Sequence, residues 1–341
     1  MQVLLRFIAI LVVLCAARVS AVAQFDVMSP PTLNTAATDD LDDFASSDLA
    51  ATPINASHFV DASDFEPQVL GPVVGNGSVV GNTNGNREVW DWHLLPDGLL
   101  WHSYLADPHE PRMSLMVFRD QRGGEYWDAT LGGRMGLLRY GTGEAKRPTG
   151  WQWDLEGAVM TRLDRKNSQD VESMDFRFGT EMTAAEGPWA MKVGYFHVSS
   201  HVGDEYVERN PTFQRINYVT ESWIIGSSYR PVDSMRLYAE FADAFIQSGG
   251  AKRYQVQTGY EYTPLAKVAR RGAPFAAVHL NLREAVDYEA STTMQVGWAF
   301  HGPDSGRRLR FGGQFGDGPT SQYEFFTRRE QYVGLGVWLD F

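Results

Sequence analysis

The run Tyr195-Phe196-His197-Val198-Ser199-Ser200-His201-Val202-Gly203-Asp204-Glu205 places two imidazoles, two hydroxyls and two carboxylates close together in the chain. On an extended strand alternate residues share a face, so His197, Ser199 and His201 project together, with about 7 Å between successive Cα atoms. An imidazole beside a hydroxyl can serve as general base to a serine nucleophile once a third group orients the ring. The same imidazoles, with Asp204 and Glu205, are also potential ligands for a divalent ion, carboxylates suiting calcium and imidazole suiting zinc. A third reading is plainer: a hydrated polar rim where a strand leaves a membrane. Parity groups His197, Ser199 and His201 with Met191, Val193 and Tyr195 on an apolar face. Polar groups facing hydrocarbon are unfavourable unless they serve a purpose.

The elements that would carry these residues are strands. From about residue 112 the chain divides into segments of 8 to 16 residues in which apolar and polar side chains alternate, separated by Gly, Pro, Asp and Asn. In the last segment Val333, Leu335, Val337, Leu339 and Phe341 share one face, opposite Tyr332, Gly334, Gly336, Trp338 and Asp340. The pattern predicts twelve strands, at 112–119, 127–140, 150–163, 171–185, 188–200, 214–229, 233–246, 253–263, 275–287, 290–300, 306–316 and 329–341. An even count puts both barrel ends in the periplasm. The polar faces carry Asp128, Arg134, Asp154, Glu156, Arg162, Asp175, Arg177, Glu181, Lys192, Arg236, Glu240, Arg253, Glu261, Arg308 and Arg310. The expected fold is therefore all-β: a closed antiparallel transmembrane β-barrel of about twelve strands, apolar outside and filled by ion pairs within, since an unpaired charge in a low-dielectric interior is costly. No long loop offers the constriction of an open porin. A secreted sandwich is the alternative reading of the same alternation.

Composition narrows the function classes. The single cysteine, Cys15, excludes a disulfide or zinc framework, and the net charge of −12 argues against nucleic acid as a partner. After residue 15 no apolar run is long enough for a spanning helix. Residues 1–23 read as a signal peptide, with Arg6 before an apolar stretch and Ala21-Val22-Ala23 as the cleavage site. Residues 24–86 hold nine acidic side chains and no Lys or Arg, and predict a disordered acidic periplasmic linker. Residues 87–119 form a lead-in whose Pro-bounded turns and aromatics (Trp90, Trp92, Trp101, Tyr104) suit a plug, and 120–341 the barrel proper. The partners implied are outer-membrane lipid and, through the aromatic C-terminal strand ending in Phe341, the barrel-assembly machinery of a Gram-negative envelope.

Around His197 the sequence resembles outer-membrane phospholipase A, a twelve-strand barrel enzyme whose catalytic strand carries His-x-Ser at its outer-leaflet end. The resemblance implies His197 as base and Ser199 as nucleophile. It implies Asp204 as a calcium-associated carboxylate, with Glu205 beside it, and calcium as the cofactor that assists the oxyanion. Pro211-Thr212-Phe213-Gln214-Arg215-Ile216-Asn217 is similar to the stretch ending in the Asn that orients the base, which implies that role for Asn217. Two departures stand out: Ser200-His201 replaces the family's Asn-Gly, and parity of Asn217 with Arg215 and Glu221 points all three into the lumen. A second resemblance covers more of the chain. Leu95-Pro96-Asp97-Gly98-Leu99-Leu100-Trp101-His102-Ser103-Tyr104 and the following residues to Ser114, with the His-x-Ser-Ser-His-x-Gly-Asp-Glu stretch, resemble a bacterial outer-membrane β-barrel family classed as a domain of unknown function. That likeness implies location and architecture and leaves two functions open: a structural or passive barrel, and a calcium-assisted serine esterase acting on outer-leaflet lipid.

Overall fold

The computed structural model describes residues 89–265, 271–302 and 304–341; the expected signal peptide and acidic linker lie outside them. One antiparallel sheet closes on itself. Its strands are β1 (Asp91–Leu94), β2 (Met113–Asp120), β3 (Glu125–Gly141), β4 (Gly150–Asp164), β5 (Asp170–Glu186), β6 (Trp189–Val202), β7 (Val219–Tyr229), β8 (Met235–Ser248), β9 (Tyr254–Tyr262), β10 (Ala273–Arg283), β11 (Ala290–His301), β12 (Arg308–Pro319) and β13 (Arg329–Asp340). Consecutive strands from β2 to β13 pair, and β13 pairs with β2, which seals a twelve-strand barrel; β1 adds to the free end of β3. At that seam the Phe341 ring lies where a Cβ on Gly133 would be 3.1 Å away, so a glycine there admits the terminal aromatic.

Side chains sort by face as the alternation requires. Leu131 (70% exposed), Val296, Val333 and Leu335 (72%) point outward, while Arg134, Asp154, Glu156, Lys192, Arg236 and Arg310 are buried inside. Closure leaves no unpaired edge in the twelve-strand barrel, and an apolar exterior around an ionic interior is stable only in hydrocarbon. The molecule is an outer-membrane β-barrel. Two details depart from the parity reading. Arg253 precedes β9 and is exposed, pairing with Asp243 at 2.7 Å instead of entering the lumen. Glu221 faces outward with Val219 and Trp223, while Tyr218, Thr220 and Ser222 face in. Charge misled the parity there, because the outward apolar neighbours of Glu221 set its face.

The lumen is filled from both ends. From the end holding the C-terminus, residues 99–112 run inside the barrel, with Leu99, Leu100, Trp101, Tyr104 and Leu105 nearly inaccessible. Tyr104 Oη donates to Glu240 at 2.8 Å, the Leu105 amide donates to Glu261 at 2.8 Å, and Arg112 pairs with Asp340 at 3.1 Å. Gly226 makes room for this plug, since a Cβ there would lie 3.0 Å from the Trp101 ring. From the other end the nine-residue connection 320–328 folds inward despite its shortness. The Tyr323 amide donates to Asp175 and the Glu324 amide to Ser200 Oγ at 2.9 Å. The two plugs meet: His109 stacks on Tyr323 with centroids 4.3 Å apart, and its Nε2 lies 3.0 Å from Asp175. A cavity of about 30 Å³ beside them, bordered by Asp107, His109 and Gln322, has room for little more than a water.

Candidate functional site

β6 places His197, Ser199 and His201 on the outer surface, as their spacing requires. Opposite them on β5 stand Phe178, Phe176 and Met174, and on β7 Glu221 faces His197 and Val219 faces Ser199. His197 Nδ1 lies 2.9 Å from Glu221 Oε1, and the Tyr195 hydroxyl donates to the other carboxylate oxygen. A carboxylate can only accept, so Nδ1 carries a proton, and in the neutral ring Nε2 presents its lone pair. Nε2 makes no hydrogen bond among the described residues, nor does the Ser199 hydroxyl. His201 is exposed, with its ring edge-on to Phe176 at 5.8 Å.

These side chains border a groove of about 620 Å³ on the lipid-facing surface, walled by Leu131, Val159, Phe176 and Phe178. Its depth comes from Gly157, which presents no side chain between Leu155 and Val159 and pairs with Gly133 across the ladder. An apolar trough of this size suits an acyl chain, with the imidazole and hydroxyl at its edge.

The remaining expected residues are not gathered here. Asn217 precedes β7 in a left-handed conformation (φ 50°), is exposed, and accepts a hydrogen bond from Ser248 Oγ through its carbonyl. It does not orient His197; Glu221 occupies that place. The physical reason is register: β7 joins the ladder only at Val219, opposite Ser199, so Asn217 lies beyond the pair that faces the imidazole. Glu221 was legible only through the outward parity it shares with Val219 and Trp223. Asp204 and Glu205 open the short helix α1 (Asp204–Arg209), both exposed, with Asp204 paired to Arg215 at 2.5 Å. Among the described residues no group of three or more His, Cys, Asp or Glu is placed to hold a metal. Asp204, whose carboxylate is already bound to a guanidinium and belongs to no such group, does not fit the oxygen cage that calcium takes.

Residues 53–341 match the family described as Protein of unknown function (DUF1207). The chain belongs to this family. No curated protein matches it in sequence. Among solved structures, the DUF1207 chain is similar to outer membrane phospholipase A from Escherichia coli, at 10% identity and TM-score 0.45, covering 68% of this chain and 94% of that one. It is similar to the calcium-bound outer membrane phospholipase dimer from Salmonella typhi, at 12% identity and TM-score 0.45, covering 68% and 91%. It is also similar to the KdgM porin, at 8% identity and TM-score 0.39, covering 67% and 98%.

Proposed function

We propose that this DUF1207 protein is a non-conducting outer-membrane barrel with a structural role, acting as an anchor in the bilayer and not as a route across it. The observation that carries this reading is the stack of His109 on Tyr323 above Asp175, which joins the two plugs inside the barrel. Ions crossing the barrel would have to part that contact and the buried ion pairs around it, each held in a low-dielectric interior. Purified full-length protein in planar bilayers is expected to give no unitary conductance steps in symmetric salt. Reproducible steps in the parental protein that change size in Tyr323→Ala would overturn the reading.

A second reading has its own observation: Glu221 holds His197 with its free nitrogen on the same surface as Ser199, beside an acyl-sized groove. Such a set would let His197 take the Ser199 proton as the oxygen attacks a lipid ester. If that chemistry operates, fatty acid release from phospholipid vesicles by the parental protein disappears in Ser199→Ala and falls steeply in Glu221→Gln, which cannot hold the imidazolium. Release at the parental rate by a variant lacking both His197 and Ser199 side chains would sink it.

A further inference from the structure

Five segments converge at the barrel mouth beside the C-terminus, outside the groove and the central ion pairs. His102 comes from the plug, Lys146 and Arg147 from the β3–β4 turn, Arg230 and Asp233 from the β7–β8 turn. Thr263 comes from the end of β9, and His301 and Arg308 from the strands flanking the β11–β12 turn. Between them lies a cavity of about 380 Å³, within the usual range for small-molecule sites. Its walls are held closely: a Cβ on Gly306 would lie 2.6 Å from the carbonyl of Ala145, and one on Gly98 would overlap that carbonyl.

The charges around this cavity do not balance. Lys146, Arg147, Arg230 and Arg308 face it against two carboxylates, Glu144 and Asp233. Arg147 is bound to Asp233, and Arg308 shares Asp340 with Arg112 and Arg310. Lys146 and Arg230 have no ion-pair partner among the described residues. Burial, together with Arg230, Arg236, Arg308 and Arg147, holds the His102 imidazole well below its ordinary range. Burial first, and then Arg236, press Arg230 itself down to about 9. Two neutral polar atoms also lack partners among the described residues: Thr263 Oγ1, on a residue 7% exposed, and His301 Nδ1. An excess of cations in a half-enclosed site is costly without a counter-ion, and unpartnered buried polar atoms add to that cost.

We infer that this mouth is a binding site for a small dianion of the phosphate monoester class. The lining carries two more positive than negative side chains, which a phosphate monoester, charged about −1.5 to −2 near neutrality, compensates. Guanidinium groups pair with phosphate oxygens in a fork, the ammonium of Lys146 supplies a point charge, and Thr263 donates a neutral hydrogen bond. The cavity exceeds a bare phosphate, leaving room for a polyol or acyl-glycerol stem.

Titration calorimetry of the full-length protein in neutral detergent, with glycerol 3-phosphate as probe, tests the site. Saturable binding is expected, weakened about tenfold in Arg230→Gln by loss of one charge-assisted fork and less in Thr263→Val. Lys146→Gln, on an exposed turn, should also weaken it without touching a half-buried side chain, while Arg122→Gln, exposed near the opposite mouth, should not. Repeating the titration in nanodiscs with and without phosphatidic acid separates the sources. Competition by that lipid assigns the site to a membrane headgroup, and unchanged affinity assigns it to a free phosphate monoester. Absence of saturable binding in micelles, or equal affinity in the parent and in the Arg230, Lys146 and Thr263 variants, overturns the proposal.

Discussion

Asp340→Asn is expected to destabilise the barrel by about 3–5 kcal/mol, the range for breaking one side of a buried ion pair. Its carboxylate, 2% exposed, serves three guanidinium groups at once: Arg310 at 2.7 Å, Arg308 at 3.1 Å and Arg112 at 3.1 Å. Arg112 also donates to the carbonyls of Leu105 and Tyr104, and Arg310 to that of Leu105, so the same knot ties the plug to the closing strands. Asparagine keeps the shape and removes the charge, leaving three cations without their common counter-ion. Equilibrium urea unfolding in phospholipid bilayers measures the loss. A change within about 0.5 kcal/mol, the range of ordinary surface substitutions, would show that the three arginines find other partners.

Arg134→Met should cost nearly as much, and its cost should depend on a residue of the plug. The guanidinium, fully buried, pairs with Glu181 at 2.9 Å, with Glu156, and with Glu110 at 3.5 Å. Without it Glu156 keeps Arg177 at 2.8 Å and Glu181 keeps Lys192 at 3.0 Å, but Glu110 has no other ion pair among the described residues. The double variant Arg134→Met with Glu110→Gln is therefore expected to recover a measurable share of the loss, as an interaction energy in a double-mutant cycle. Additive losses in that cycle would show that Arg134 and Glu110 do not couple.

Much of this architecture can be read from alternation alone. Period two with Arg and Glu on one side of mid-strand positions and Leu, Val and Phe on the other states that one face is ionic and the other is not, and twelve such runs make a closed sheet. The inward positions of Arg134, Glu156, Lys192 and Arg310 follow from that rule because each sits deep within a strand, where a one-residue slip would reverse every side chain. The rule fails at strand ends. Arg253 lies one residue before β9, and its side chain stays at the rim with Asp243. Asn217 lies before the start of β7, where the backbone turns left-handed, so parity counted through it had no meaning.

For the candidate site, alternation alone requires that His197, Ser199 and His201 share the membrane-facing side of one strand, because residues two apart on a strand have no alternative. It likewise determined the ionic interior and the apolar exterior. Packing of the closed sheet sets which carboxylate holds the imidazole, since Glu221 reaches His197 through ladder register between strands, a relation that no spacing within either strand encodes. It also decided that the barrel is stopped from both mouths. Stacking of His109 on Tyr323 joins residues more than two hundred positions apart, and such a contact exists only once closure of the sheet has brought both ends of the chain into one lumen.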